Sequence, residues 1–303
     1  MKNPEGAFLN KLSDKLGEER FKEKLYERAQ GVFRVNPPIN PEKFRNVSGY
    51  ENVEIDHDVK YVRDMEQKFD REDTPEQKEQ KRFAKILEAM LNELIELYDW
   101  MGPDATTITT SDFDDIGNGV DMVAEFPDKE EKSRLVGDPT ERREKSASHL
   151  ALAVDVTFAS EIGKKIERIQ REIERGELAS VKYFESEFLG EKGRLPTIPR
   201  VIIGADVDTI KNLGALWLAE DKKALAVHEI QKVILEEVRM QLEVFAEYAR
   251  IKNQEKVAET YKATLEVIQD ILEDKKDISI DALLHDKVFD AIKREVRHLQ
   301  REV

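Results

Sequence analysis

Asp114-Asp115-Ile116-Gly117-Asn118-Gly119-Val120-Asp121-Met122-Val123-Ala124-Glu125-Phe126 and Leu150-Ala151-Leu152-Ala153-Val154-Asp155-Val156-Thr157-Phe158 decide how this chain folds. Both runs are short, apolar and rich in β-branched residues, the composition of strands buried on both faces. Each carries one aspartate among the apolar residues. A carboxylate in such a run loses its hydration, which is costly unless a cation or hydrogen bonds replace the water. Asp121 and Asp155 therefore point to a metal held between neighbouring strands.

Working outward, Thr74-Pro75-Glu76-Gln77 places a capping hydroxyl, a proline at the first helical position and a glutamine at the third, which together predict a helix start. Phe83, Ile86, Leu87, Met90, Leu91, Leu94 and Tyr98 then recur at three- and four-residue intervals, giving one apolar face that runs to about Trp100. Ala105 to Phe113 reads as a first strand, and Ile116-Gly117-Asn118-Gly119 as a tight hairpin returning into Val120 to Phe126. The charged stretch Pro127 to Ser148 is expected to be a loop or short helix before the third strand, Leu150 to Phe158. Ser160 can cap a helix whose stripe is Ile162, Ile166, Ile169 and Ile173, with Gly176 as its stop. Ser180 to Phe184 and Arg200 to Gly204 read as two further strands, and Asp208 as the cap of a short helix to Leu218. Long helical patterns follow at about Lys223 to Ile251, Glu255 to Asp274 and Ile280 to Leu299.

Composition narrows the chemistry. Among 303 residues there is no cysteine, and the five histidines are scattered without ligand spacing, so any metal must be held by oxygen, which selects Mg²⁺ or Mn²⁺. No apolar stretch reaches the roughly 20 residues that cross a bilayer, and Met1-Lys2-Asn3-Pro4-Glu5-Gly6 lacks a signal-peptide core, so no membrane partner and a cytoplasmic address are expected. The net charge of -15, from 64 acidic and 49 basic residues, opposes non-specific attraction to nucleic acid.

The order helix, strand, strand, strand, helix, strand, with Asp121 entering the second strand and Asp155-Val156-Thr157 ending the third, resembles the PD-(D/E)XK nuclease superfamily over roughly residues 75–206. That resemblance implies a restriction-endonuclease-like core in which Asp121 and Asp155 ligate one or two divalent cations. It also implies a lysine that stabilises attacking water and phosphate charge. The pattern places that lysine two residues after the acid, where this chain has Thr157. In some members the lysine sits on the following helix, which here carries Lys164 and Lys165. At ~100° per residue Lys165 lies ~60–70° from the centre of the isoleucine stripe, whereas Lys164 points nearly opposite, so Lys165 is the expected stabiliser. The family often draws a glutamate from the first helix. Packing that helix antiparallel to the first strand puts its N-terminal part level with Asp121, which favours Glu79 over Glu93 as a further ligand or base. Gln241 followed by Phe245 resembles, imperfectly, the glutamine and tyrosine of nuclease branches related to RecB.

The expected fold is α/β: a small mixed sheet flanked by helices over residues 75–222, an N-terminal appendage (1–74) with one or two short helices, and a C-terminal helical region (223–303) whose faces could mediate homo-oligomer formation. The expected activity is metal-dependent hydrolysis of phosphodiester bonds in nucleic acid. Two other readings follow from the same residues. One is an inactive nuclease-fold module for binding or assembly, in keeping with Thr157 and the negative charge; the other is a helical scaffold anchored by the sheet.

Overall fold

A computed structural model describes residues 4–126, 150–158, 162–186, 190–280 and 286–302, with side chains from residue 17 to 301. The expected loop at 127–148 and the cap at Ser160 lie outside the described residues. Strands β1 (Thr106–Thr109), β2 (Met122–Phe126) and β3 (Leu150–Thr157) form an antiparallel meander, and β6 (Arg200–Gly204) joins β3 in parallel. A parallel pair needs a crossover. Here it contains helix α4 (Gly163–Glu174) and a separate hairpin of β4 (Ala179–Glu185) and β5 (Lys192–Ile198). The α/β class read from the sequence is the class observed.

Local chemistry sets the ends of the elements. Helix α3 (Pro75–Tyr98) starts at the capping box of Thr74 and Gln77 and stops at Asp99, whose φ is 54°. Asp206 rather than Asp208 caps α5 (Val207–Leu218), accepting from the backbone N–H groups of Asp208 (3.1 Å) and Thr209 (3.0 Å). The single helix expected from Lys223 is broken into α6 (Lys222–Ala226) and α7 (Ile230–Ile251). At the break Trp100 donates to the Leu225 carbonyl (3.0 Å) and stacks on His228. Helix α8 (Glu255–Asp274) matches its reading, and α9 (Lys287–Glu302) completes the described chain. The N-terminal region is longer in helix than its weak periodicity suggests: α1 spans Pro4–Val35 and α2 Asn52–Glu72.

Thr107 and Thr109 bond to Glu96 and Asn92 of α3, so α3 covers that face of the sheet. Residues of α1, α3, α5, α7, α8 and α9 join it in one apolar core. The opposite face carries Val123, Ala151 and Ala153 against the β4–β5 hairpin. Both sheet edges are closed. Ile39 donates to the Thr109 carbonyl of β1 (3.2 Å), and on β6 the Gln241 amide accepts from Ile202 N–H (2.8 Å) and donates to Ile202 C=O (2.7 Å). Gln241 thus replaces a missing strand neighbour, and Phe245 lies in the core.

Candidate functional site

The β2–β3 pairing ends at Met122↔Val154, where the Asp121 N–H donates to the Val154 carbonyl (3.0 Å), which leaves Asp121 beside the end of β3 that carries Asp155. Two carboxylates brought near each other repel, and the charge of Asp155 is among those raising Asp121. Asp121 is half-buried and accepts from the Val156 N–H (2.6 Å), so it takes the ladder donor of the neighbouring strand. Asp155 is buried, and Lys165 of α4 forms an ion pair with it while also donating to the Val156 carbonyl (3.3 Å). Asp121, Asp155 and Lys165 are therefore brought together.

Glu79 is not. It is an exposed residue of the first turns of α3 and pairs with Lys22 of α1 at 2.6 Å. The α3 glutamate linked to the β1–β2 connection is Glu88, which is 2% exposed and shares Lys85 with Asp115. At about 100° per residue Glu79 and Glu88 project from opposite sides of α3. The antiparallel packing of α3 on β1 is as expected, and its contacts fix the register: Glu96 meets Thr107, Asn92 meets Thr109, and Lys85 meets Asp115 at 3.2 Å. Glu88 lies within that polar row, whereas Glu79 lies beyond its end. The row was readable as polar residues flanking the apolar stripe.

The tight hairpin expected at Ile116–Gly119 is instead a π-helical turn, Asp114–Asn118, closed by Gly119 at φ 61°. This wider turn brings in Asp115 as well. Asp115 bonds Lys85 of α3 at 3.2 Å and lies close enough to Asp121 for its charge to act there. Burial raises Asp121 well above the usual carboxylate range, and the charges of Asp115, Asp155 and Glu88 add to it. Burial likewise raises Asp155 despite the opposing pull of Lys165, and pushes Glu88 up to about 7 despite Lys85. Lys85 bonds Glu88 at 2.8 Å, and although burial lowers its ammonium, Glu88, Asp115 and Asp121 outweigh that and raise it.

Two arginines hold the turn. Arg168 of α4 donates to the Gly117 carbonyl (3.0 Å) and Arg200 of β6 to the Asn118 carbonyl (2.7 Å). Arg200 is 2% exposed and pairs with Glu172 of α4 at 3.3 Å. These contacts, with Lys165, seat α4 on the face that carries Asp155. Asp114 in the same turn has a different environment. Its carboxylate bonds Ser111 Oγ (2.7 Å), Asn118 Nδ2 (2.7 Å), Lys182 N–H (2.7 Å) and Tyr183 N–H (3.1 Å).

The donor chemistry fits a hard divalent cation. All the acidic groups are oxygen donors, Glu88 Oε1 is buried without a hydrogen-bond partner, and burial together with the neighbouring carboxylates raises Asp121. As arranged, positive charge comes from Lys85 and Lys165, and no three acidic or imidazole groups among the described residues stand at the spacing of a complete ligand set. Comparison with family models, curated proteins and solved structures gives no match to the chain. Among the described residues no helix is long and apolar enough to cross a membrane.

Proposed function

We propose that the protein hydrolyses phosphodiester bonds of nucleic acid with Mg²⁺ or Mn²⁺ bound at the end of the sheet. The observation that carries this reading is the meeting of Asp121, Asp155 and Lys165 where β2 begins and β3 ends: Asp121 accepts from the Val156 N–H, and Lys165 pairs with Asp155 while donating to the Val156 carbonyl. Element order, the two aspartates and the helix-borne lysine also agree with what the PD-(D/E)XK resemblance implies. Asp121 and Asp155 would hold the ion, with Glu88 as the third oxygen donor. When bound, the ion supplies polarisation of a phosphoryl oxygen and a lowered pKa for its water.

The chain's own residues then have distinct tasks. With a cation held by Asp155, Lys165 would be free to donate an N–H to a non-bridging phosphate oxygen and stabilise the charge that develops there. Lys85 holds Glu88 and Asp115 in place from the α3 side. The water oxygen bonds to phosphorus, the bond to the leaving sugar oxygen breaks, and a proton passes to that oxygen. The products are a phosphomonoester and an alcohol.

Incubation of the full chain with plasmid and labelled oligonucleotides in Mg²⁺ or Mn²⁺ tests this. Asp155→Ala and Asp121→Asn should each lose about 10³-fold or more of the cleavage rate, equivalent to about 4 kcal/mol of transition-state stabilisation. Asp155→Ala with full Mg²⁺-dependent cleavage would sink the assignment. A second reading, an inactive nuclease-fold module, draws on the lysines that already neutralise the carboxylates and on Thr157 in the strand position. Calorimetry separates the two: no heat of Mn²⁺ binding at millimolar metal favours the module.

A further inference from the structure

An enzyme of net charge -15 must still attract a polyanion, and one helix of the chain offers a means. Helix α9 buries Val288, Ala291, Ile292, Val296 and Leu299 in the core. Its exposed side presents Lys287, Arg294, Arg297 and Arg301, interrupted by Asp290. At ~100° per residue these five share one stripe. Among the described residues, Lys287, Arg297 and Arg301 have no acidic partner within 4.0 Å, and Arg294 has only the adjacent Glu295 at 3.9 Å. What sets the stripe apart is that its four basic residues lie on one side of a single helix.

The helix is also fixed next to the site's end of the sheet. Asp206 N–H donates to Asp286 (2.9 Å) and Lys287 N–H donates to Asp206 (3.1 Å), a reciprocal latch between the start of α9 and the connection leaving β6. Val288 and Thr157 meet over Gly204: a Cβ there would lie 2.9 Å from Thr157 and collide with Val288. Thr157 is two residues beyond Asp155 in β3. The basic stripe thus begins where the strand bearing the candidate ligand ends.

We infer that the outer face of α9 binds the sugar-phosphate backbone of the nucleic acid whose cleavage is proposed above, on which reading this inference rests. Guanidinium groups suit phosphate through bidentate hydrogen bonds. Arg294 to Arg301 spans about 10 Å at 1.5 Å per residue, or about three phosphates of one strand at 3.4 Å each. A bilayer surface fits less well, because the apolar side of α9 is consumed by the core and none remains to insert.

The test is fluorescence anisotropy with the full chain in EDTA, where cleavage is silent, using a labelled oligonucleotide as single strand and as duplex over a salt series. Arg294→Ala/Arg297→Ala/Arg301→Ala should weaken binding by about tenfold or more at low salt. The slope of log affinity against log salt should become shallower by about 0.9 per lost duplex contact and about 0.7 per lost single-strand contact. The triple lysine variant should keep the slope. Circular dichroism checks that α9 remains folded, and alanine favours helix at these exposed positions. Unchanged affinity and slope in the alanine variant would overturn the inference. So would a wild-type protein that binds phosphatidylserine vesicles but no oligonucleotide. Wild-type binding that depends on α9, with no cleavage under any metal, would leave this surface standing and remove the nuclease reading; intact cleavage with α9-independent binding would do the reverse.

Discussion

Asp114 and Asp121 belong to the same connection between β1 and β2, and both are carboxylates withdrawn from water, yet their surroundings differ. Around Asp114 every neighbour donates: a hydroxyl, an amide and two backbone N–H groups converge on its two oxygens. Around Asp121 one backbone N–H donates, and the remaining neighbours that shift its proton equilibrium are Asp115, Asp155 and Glu88. A buried carboxylate surrounded by donors acts as scaffold, since its charge is already satisfied. One surrounded by other carboxylates is satisfied only by protons, nearby ammonium groups or a cation. The difference separates a hinge pin of the fold from a candidate chemical site a few residues away.

Exchanging these environments should break the protein in different ways. Asp114→Ala leaves four donors without their acceptor at the junction of the turn and β4, and should cost about 3 kcal/mol or more, read as a lower denaturant midpoint. The same measurement on Asp121→Asn should show little loss or a gain, because carboxylate repulsion is relieved. If Asp114→Ala is as stable as wild type, the distinction fails.

Proton linkage gives the next effect. In the folded protein Glu88 holds its proton up to about 7, against an ordinary value of 4.5, so the native state binds a proton that the unfolded chain has released. The contribution of Glu88 to stability should therefore be full below about 4.5 and be lost as the pH rises toward 7, by up to about 3 kcal/mol in the absence of divalent metal. Glu88→Gln should flatten that slope in pH-dependent urea unfolding. A Gly119→Ala change is smaller. The residue sits at φ 61°, and its new methyl would run into the Arg168 guanidinium, so about 1–2 kcal/mol should be lost, with weakened Mn²⁺ affinity as the turn shifts. Smallest of all, Glu79→Ala should stay within about 0.5 kcal/mol of wild type and leave Mn²⁺ binding unchanged, as for an exposed ion pair.

Much of this arrangement was legible from residue patterns, for identifiable reasons. Strands β2, β3 and β6 are buried on both sides and so carry unbroken apolar runs. Helix α3 has a textual start at Thr74-Pro75 and a full apolar stripe. Strand β5 was missed because Gly193 and Pro196 read as breakers; at the edge of a two-stranded hairpin proline is tolerated. The length of α1 was missed because its apolar residues do not keep a helical period throughout. In the site, strand pairing placed Asp121 and Asp155, and stripe geometry chose Lys165 over Lys164. Glu88 escaped because the packing register between α3 and β1 was estimated from element lengths. It is set in fact by hydrogen bonds of Asn92 and Glu96 to β1 threonines, contacts that spacing alone does not specify.

Gln241 has a consequence for how copies of this protein can meet. By presenting an amide to Ile202 it mimics the backbone of a further strand, and with Ile39 on the far side the sheet offers neither border for extension. Self-assembly by strand-to-strand templating, the route to fibrils, is blocked at those positions by a single side chain and a single peptide group.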